Sequence, residues 1–176
     1  MRRTPMQTSF FRSVLLAAAL CFPAVAGLAA SAGHRLLGLP APDFALRSAA
    51  GPNIRLSEYR GDVVVLAFWG SRCGVCAAQL AALDQLTATY QSAGLVTLGV
   101  DVDDNQDAAR AFLASRPVKF PMLLDPGKTV SRAYQVDNLP MTVLIDRGGN
   151  VRYVHRDYGA KSDARYLDEL RELLNE

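Results

Sequence analysis

Val63-Val64-Val65-Leu66-Ala67-Phe68-Trp69-Gly70-Ser71-Arg72-Cys73-Gly74-Val75-Cys76 joins a strand signal to a pair of thiols. Val63 to Trp69 is a near-continuous apolar, β-branched run, the pattern of a parallel strand buried on both faces. After Cys76, the residues Leu80, Leu83, Leu86 and Tyr90 recur every three or four positions, so the thiols stand at the head of a helix with one buried stripe. Residues i and i+3 share a helical face. Their Cα atoms then lie about 5–6 Å apart, within reach of a disulfide. At a helix start several backbone N–H groups lack intrahelical partners, and the macrodipole favours negative charge. Cys73 is therefore expected to be the attacking thiolate, with a pKa below the free value of about 8.5. Cys76 is expected to be the more buried partner that resolves a mixed disulfide.

Two other uses of such a pair compete with a redox centre. Half of a zinc site would need two more ligands at set spacing. Outside the pair, however, the chain offers only Cys21, His34 and His155. A purely structural disulfide is the second, but a bridge closing so short a loop constrains the unfolded chain little.

Outward from this segment, Phe44-Ala45-Leu46 and Ile54-Arg55-Leu56 are short strand candidates around the turn-rich Ala49-Ala50-Gly51-Pro52-Asn53. Gly94 ends the first helix, and Leu95 to Val100 is a second buried strand. Asp103-Asp104-Asn105 offers caps for a helix carrying Ala108, Ala111 and Phe112 and closed by Pro117. Phe120 to Leu124 reads as extended and Val130 to Tyr134 as a short helix. Met141 to Ile145 and Val151 to His155 read as a hairpin around Arg147-Gly148-Gly149-Asn150. Tyr166, Leu167, Leu170, Leu173 and Leu174 give a last helix its apolar face. Alternating strands and helices imply parallel strands with crossover helices. The closing hairpin adds antiparallel strands, so the expected sheet is mixed.

The 176 residues suffice for one domain with a sizeable core. Arg2, Arg3 and Arg12 are the only charges in residues 1–32; without them 16 of the 19 basic residues remain against 17 acidic ones. No basic face for nucleic acid is implied. Residues 1–32 have a basic start, the apolar run Val14 to Phe22 and a small-residue tail, the layout of a secretory signal peptide. Ala24-Val25-Ala26 and Ala30-Ser31-Ala32 are candidate cleavage sites. The rival reading is an N-terminal membrane anchor. Ser13 to His34 is 22 residues without a formal charge, about 33 Å as a helix. Lipid attachment at Cys21 is disfavoured by bulky Leu20. Either export reading puts residues 33–176 outside the cytoplasm, where thiols tend to oxidise.

The order of elements resembles the thioredoxin superfamily, and within it the exported TlpA/ResA-like thiol–disulfide oxidoreductases. The resemblance covers roughly residues 38–176. It rests on Pro42-Asp43-Phe44-Ala45-Leu46, Leu56-Ser57-Glu58-Tyr59-Arg60-Gly61, Phe68 to Cys76, Tyr134-Gln135-Val136 and Leu139-Pro140-Met141-Thr142-Val143-Leu144-Ile145-Asp146. It implies an α/β, thioredoxin-like three-layer fold, with a central mixed β-sheet flanked by helices and an N-terminal β-hairpin extension. It also implies a cis peptide between Leu139 and Pro140, opposite the cysteines, whose preceding backbone pairs with an extended substrate. Trp69, Arg72, Gly74, Val75 and Gln79 are expected to tune the thiols. The chain departs from the family pattern at Arg72, where an aromatic is frequent, and at Ala67 and Gln79, where relatives carry acids. Both familiar proton acceptors are thus replaced. His155 is expected to be structural or solvated near the sheet edge, and Met122 and Met141 to be core.

The resemblance implies an enzyme without cofactor or metal that reduces or exchanges disulfides of other exported proteins, apocytochrome c and copper-site assembly proteins among them. An upstream membrane electron donor is the implied second partner. The rival functions are a Cu(I)-handling module using the two thiolates as soft ligands and a thiol peroxidase. The peroxidase shares Pro42-Asp43-Phe44, but the residues before Cys73 lack a peroxidatic Pro and Thr.

Overall fold

The structure, a computed structural model, describes Met1 and residues 34–176. The signal or anchor reading of residues 1–32, its cleavage sites and Cys21 lie outside the described residues. Residues 34–176 belong to the unit Ala32–Glu176. Its elements are β1 (Ala45–Ser48), β2 (Asn53–Arg55), β3 (Val63–Trp69), α1 (Cys76–Tyr90), β4 (Leu95–Asp101), α2 (Gln106–Ser115), β5 (Met122–Leu124), α3 (Thr129–Ala133), β6 (Met141–Ile145), β7 (Val151–His155) and α4 (Ser162–Leu174). The strands form one mixed sheet of seven in the order β2-β1-β5-β4-β3-β6-β7.

The apolar run drives this arrangement. Every residue of β3 is buried, because β3 has β4 parallel on one side and β6 antiparallel on the other. Its side chains alternate between two cores, as a period of two requires. Val64, Leu66 and Phe68 join Leu98, Val100, Val143 and Tyr134 on one face. Val63, Val65, Ala67 and Trp69 join Cys76, Leu80, Leu83 and Tyr166 on the other. The layers are unequal. Helices α1, α2 and α4 all contribute to the second face, whereas α3 covers the first together with the lead-in residues Ala41 and Phe44.

The expected N-terminal hairpin is continuous with the sheet: β1 pairs antiparallel with β2 and also with β5, setting Arg47 opposite Leu124. Leu56, the last residue of the expected second strand, lies outside β2. It instead opens a 3-10 turn, Leu56–Tyr59, that buries its side chain. Gly94 takes φ +89° at the end of a short 3-10 continuation of α1, a left-handed turn that glycine adopts without a Cβ penalty. Arg147 donates to the carbonyls of Gly61 and Ala93, just before β3 and β4, and to that of Leu174. This ties down the end of the sheet away from the cysteines. The carboxyl ends of the parallel strands are left to carry the loops, where ligand sites of open α/β sheets form. Among the described residues, no helix is long and apolar enough to cross a membrane.

Candidate active site

The cysteine loop begins where β3 ends. Trp69 is fully buried, its ring packed 4.9 Å from that of Phe112 on α2. Gly70 follows with little room: a Cβ there would sit 3.1 Å from Asp103 Oδ1 and 3.2 Å from Leu139 Cδ1. Cys73 N–H donates to the Gly70 carbonyl at 3.0 Å, and Cys76 N–H to the Cys73 carbonyl at 3.3 Å. Cys73 and Cys76 are disulfide-bonded, with Cα atoms 5.4 Å apart. Helix α1 starts at Cys76 with Val75 as its N-cap, so Cys73 lies ahead of the helix rather than in its first turn. Two consecutive turns, Gly70 to Cys73 and Cys73 to Cys76, fill the link before the i−4 bond from Gln79 N–H to the Val75 carbonyl.

The two sulfur positions differ in exposure. Cys76 is fully buried among Leu80, Trp69 and Tyr166, while Cys73 is half-buried. Cys73 opens on a groove of about 450 Å³ lined also by Arg72, Asp103, Lys128, Val136 and Leu139. Arg72 is exposed on the rim. Lys128 pairs with Asp104 at 2.8 Å, and this neighbour holds the Asp104 carboxyl below the usual carboxylate range. Gly74 is exposed, and nothing lies within 4 Å of where its Cβ would be. Val75 is 46% exposed beside it. The Leu139–Pro140 peptide is cis. Leu139 lines the groove with Cys73, and Pro140 is buried at the start of β6. The sequence thus marks residues from two separate segments, 69–79 and 139–140, that the fold brings together where β3 ends and β6 begins.

Gln79 points inward, not to solvent. It is fully buried, and its Nε2 donates to Thr142 Oγ1 at 2.6 Å, while Thr142 shares a 2.9 Å hydrogen bond with the Tyr166 hydroxyl. Its Oε1 has no partner among the described protein atoms. Burial raises the Tyr166 pKa, against the opposing hydrogen bonds of Thr142 and Gln79. His155 on the edge strand β7 is buried and bonds Glu169 at 2.6 Å. Desolvation lowers its pKa although Glu169 pulls the other way. Met122 and Met141 are core residues.

Sequence reasoning missed two acids. The sequence offers Asp103, with Asp104 and Asn105, as a helix cap. Only Asn105 caps α2; Asp103 instead accepts the Ser71 N–H at 2.7 Å. Asp101, at the end of β4, is 1% exposed. Its burial, chiefly, lifts its pKa to about 7, with the charges of Asp103 and Asp125 adding to the rise. An acid closing an otherwise apolar strand was the one visible signal.

A buried and an accessible sulfur in one disulfide, at the edge of a groove, is an arrangement that can exchange disulfides. Residues 37–154 match the model of the AhpC/TSA family. The chain is 34% identical to the thiol-disulfide oxidoreductase ResA of Geobacillus kaustophilus, over 77% of this chain and 78% of that protein. It is 33% identical to ResA of Geobacillus thermodenitrificans, over 86% and 87%. Among solved structures, a Chlorobium tepidum protein assigned as the thiol:disulfide interchange protein DsbE superposes with a TM-score of 0.76 at 33% identity, covering 78% of this chain and 97% of that one. The exposed lipoprotein thioredoxin Etrx1 of Streptococcus pneumoniae does so at 0.67 and 28% identity, covering 75% and 100%. The chain belongs to the AhpC/TSA family and is a thioredoxin-like thiol–disulfide oxidoreductase of the ResA/DsbE type.

Proposed function

We propose that this chain is an exported enzyme that reduces or exchanges disulfides in extracytoplasmic client proteins, with Cys73 attacking and Cys76 resolving. The observation that carries this reading is the asymmetry of the pair, a fully buried Cys76 against a half-buried Cys73 on the groove. In the reduced enzyme the Cys73 thiolate attacks one sulfur of a client disulfide. That S–S bond breaks, and the other client sulfur leaves as a thiolate and takes up a proton. The Cys76 thiolate then attacks Cys73 Sγ. This closes the Cys73–Cys76 bond and releases the second client thiol, so two electrons pass from enzyme to client.

Leu139 and Pro140 form the wall along which an extended client segment lies. Trp69, Arg72, Gly74, Val75 and Gln79 tune the pair. Residues 1–32 are the export signal or anchor, and residues 33–176 the catalytic domain. Location outside the cytoplasm rests on that N-terminal pattern. There the oxidised pair is returned to the dithiol by an upstream membrane donor. Apocytochrome c and copper-site assembly proteins are the client classes that the resemblance suggests.

The test is a trapping experiment. Cys76→Ser leaves the attacking thiol without its resolver and is expected to accumulate mixed disulfides with clients on non-reducing gels, whereas Cys73→Ser accumulates few. Equal trapping by the two variants would abolish the assignment, and heavier trapping by Cys73→Ser would reverse it.

A further inference from the structure

The last residue of β4 ends inside the protein as an acid. Asp101 follows the buried run Thr97 to Val100 and is itself 1% exposed. In register it neighbours Trp69, the last residue of β3, and Leu124 of β5. Trp69 belongs to the same apolar cluster as Cys76. Three hydrogen bonds connect Asp101 to the cysteine loop. Asp101 Oδ1 accepts the Asp103 N–H at 3.1 Å, Asp103 Oδ2 accepts the Ser71 N–H at 2.7 Å, and Cys73 N–H donates to the Gly70 carbonyl at 3.0 Å. The Val102 N–H also donates to the Trp69 carbonyl at 3.0 Å, clasping the two strand ends together. Asp103 and Cys73 face the same groove.

We propose that Asp101 is a positioning residue for disulfide exchange: through Asp103 and Ser71 it holds the segment that carries Cys73, and its charge opposes formation of the Cys73 thiolate. The inference rests on the assignment of Cys73 as the attacking thiol. The groups that face Asp101 are mostly acids. Asp103 comes from the β4–α2 link and Asp125 from the β5–α3 link, where Asp125 accepts the N–H groups of Thr129 and Ser131. The first turn of α1 has no charged side chain. On α2, Asp107 and Arg110 are exposed and paired with each other. The groove's cations, Arg72 and Lys128, stand on the rim, Lys128 already bonded to Asp104. Among the described residues no cation pairs with Asp101.

Burial accordingly moves Asp101 to a pKa of about 7, where it changes charge in the range in which a reactive thiol ionises. Like charges disfavour each other, so each ion raises the pKa of the other.

Asp101→Asn separates the two roles, because an amide oxygen still accepts the Asp103 N–H but carries no charge. The readouts are site-resolved alkylation of the reduced full chain across pH, read by peptide mass spectrometry, and NMR titration of the wild-type Asp101 carboxyl carbon in oxidised and reduced protein. Asp101→Asn is expected to alkylate at Cys73 about two- to threefold faster near pH 8, where wild-type Asp101 is charged, and at the same rate well below pH 6, the effect of removing a like charge that raises the thiol pKa by roughly half to one unit. In the wild type the Asp101 midpoint is expected to move upward on reduction, a shift that a purely structural carboxylate would not make. Superposable Cys73 profiles in the two proteins, or a midpoint unmoved by reduction, overturn the proposal. Should Asp101→Asn fail to fold, the wild-type titration decides alone. Cys76 alkylating ahead of Cys73 would instead overturn the nucleophile assignment, a distinct result.

Discussion

Gln79 stands where the resemblance implies an acid, and the structure makes it part of the buried interior. Its amide nitrogen is committed to Thr142 and its carbonyl oxygen has no protein donor. It lies one helical turn beyond Cys76, so the two side chains share a face. An amide hydrogen-bonds but does not take up a proton at neutral pH. Gln79→Glu is expected to raise the Cys76 pKa, because a like charge disfavours a second anion. Site-resolved alkylation of the reduced variant across pH checks this, and a pKa that stays put or falls rejects it. The same substitution carries a stability signature. Desolvation raises the folded-state pKa of a buried carboxylate above its unfolded value. The folded state therefore binds the proton more tightly, so the penalty is least in acid and grows as pH rises through the folded pKa. A loss of about 1–3 kcal/mol at pH 8, shrinking at pH 5, is expected from urea midpoints.

Among the elements, α2 shows how a local signal is divided between structure and site. Asp103, Asp104 and Asn105 look equivalent as caps in sequence. Only Asn105 is one: its Oδ1 accepts from Asp107 N–H at 2.9 Å and Ala108 N–H at 3.4 Å. Asp103 is drawn away to Ser71 and Asp104 to Lys128. Which of three neighbouring acceptors caps a helix depends on donors distant in sequence, and local propensity does not register those. Asn105→Ala is expected to cost about 1 kcal/mol and to lower Tm by roughly 2–4 °C, measured by circular dichroism. Asp103→Ala, which leaves that cap intact, should instead alter Cys73 reactivity.

Across the whole molecule, stability concentrates where the chain crosses the sheet centre. β3 is bonded along its full length to β4 and over five positions to β6, with both faces covered. β2, by contrast, is an edge strand of three residues with no fully buried side chain. Opening free energies follow that gradient. Amide hydrogen exchange is expected to be slowest in β3 and β4, and faster in β2 by several orders of magnitude in protection. Comparable protection in β2 would contradict the gradient.

The sequence by itself determined the strand and helix order, the mixed sheet and the cysteine pair. Each depends on periodicity or spacing within a short segment, and such patterns follow from local geometry. The resemblance supplied Pro140 and marked Gln79. Only the tertiary structure decided that Gln79 points inward to Thr142 and Tyr166, that His155 is buried against Glu169, and that Asp101 and Asp103 bond in turn to the link before Cys73. Those contacts join residues far apart along the chain, and a side chain's charge and hydrogen bonds are set by whatever the folded sheet brings beside it.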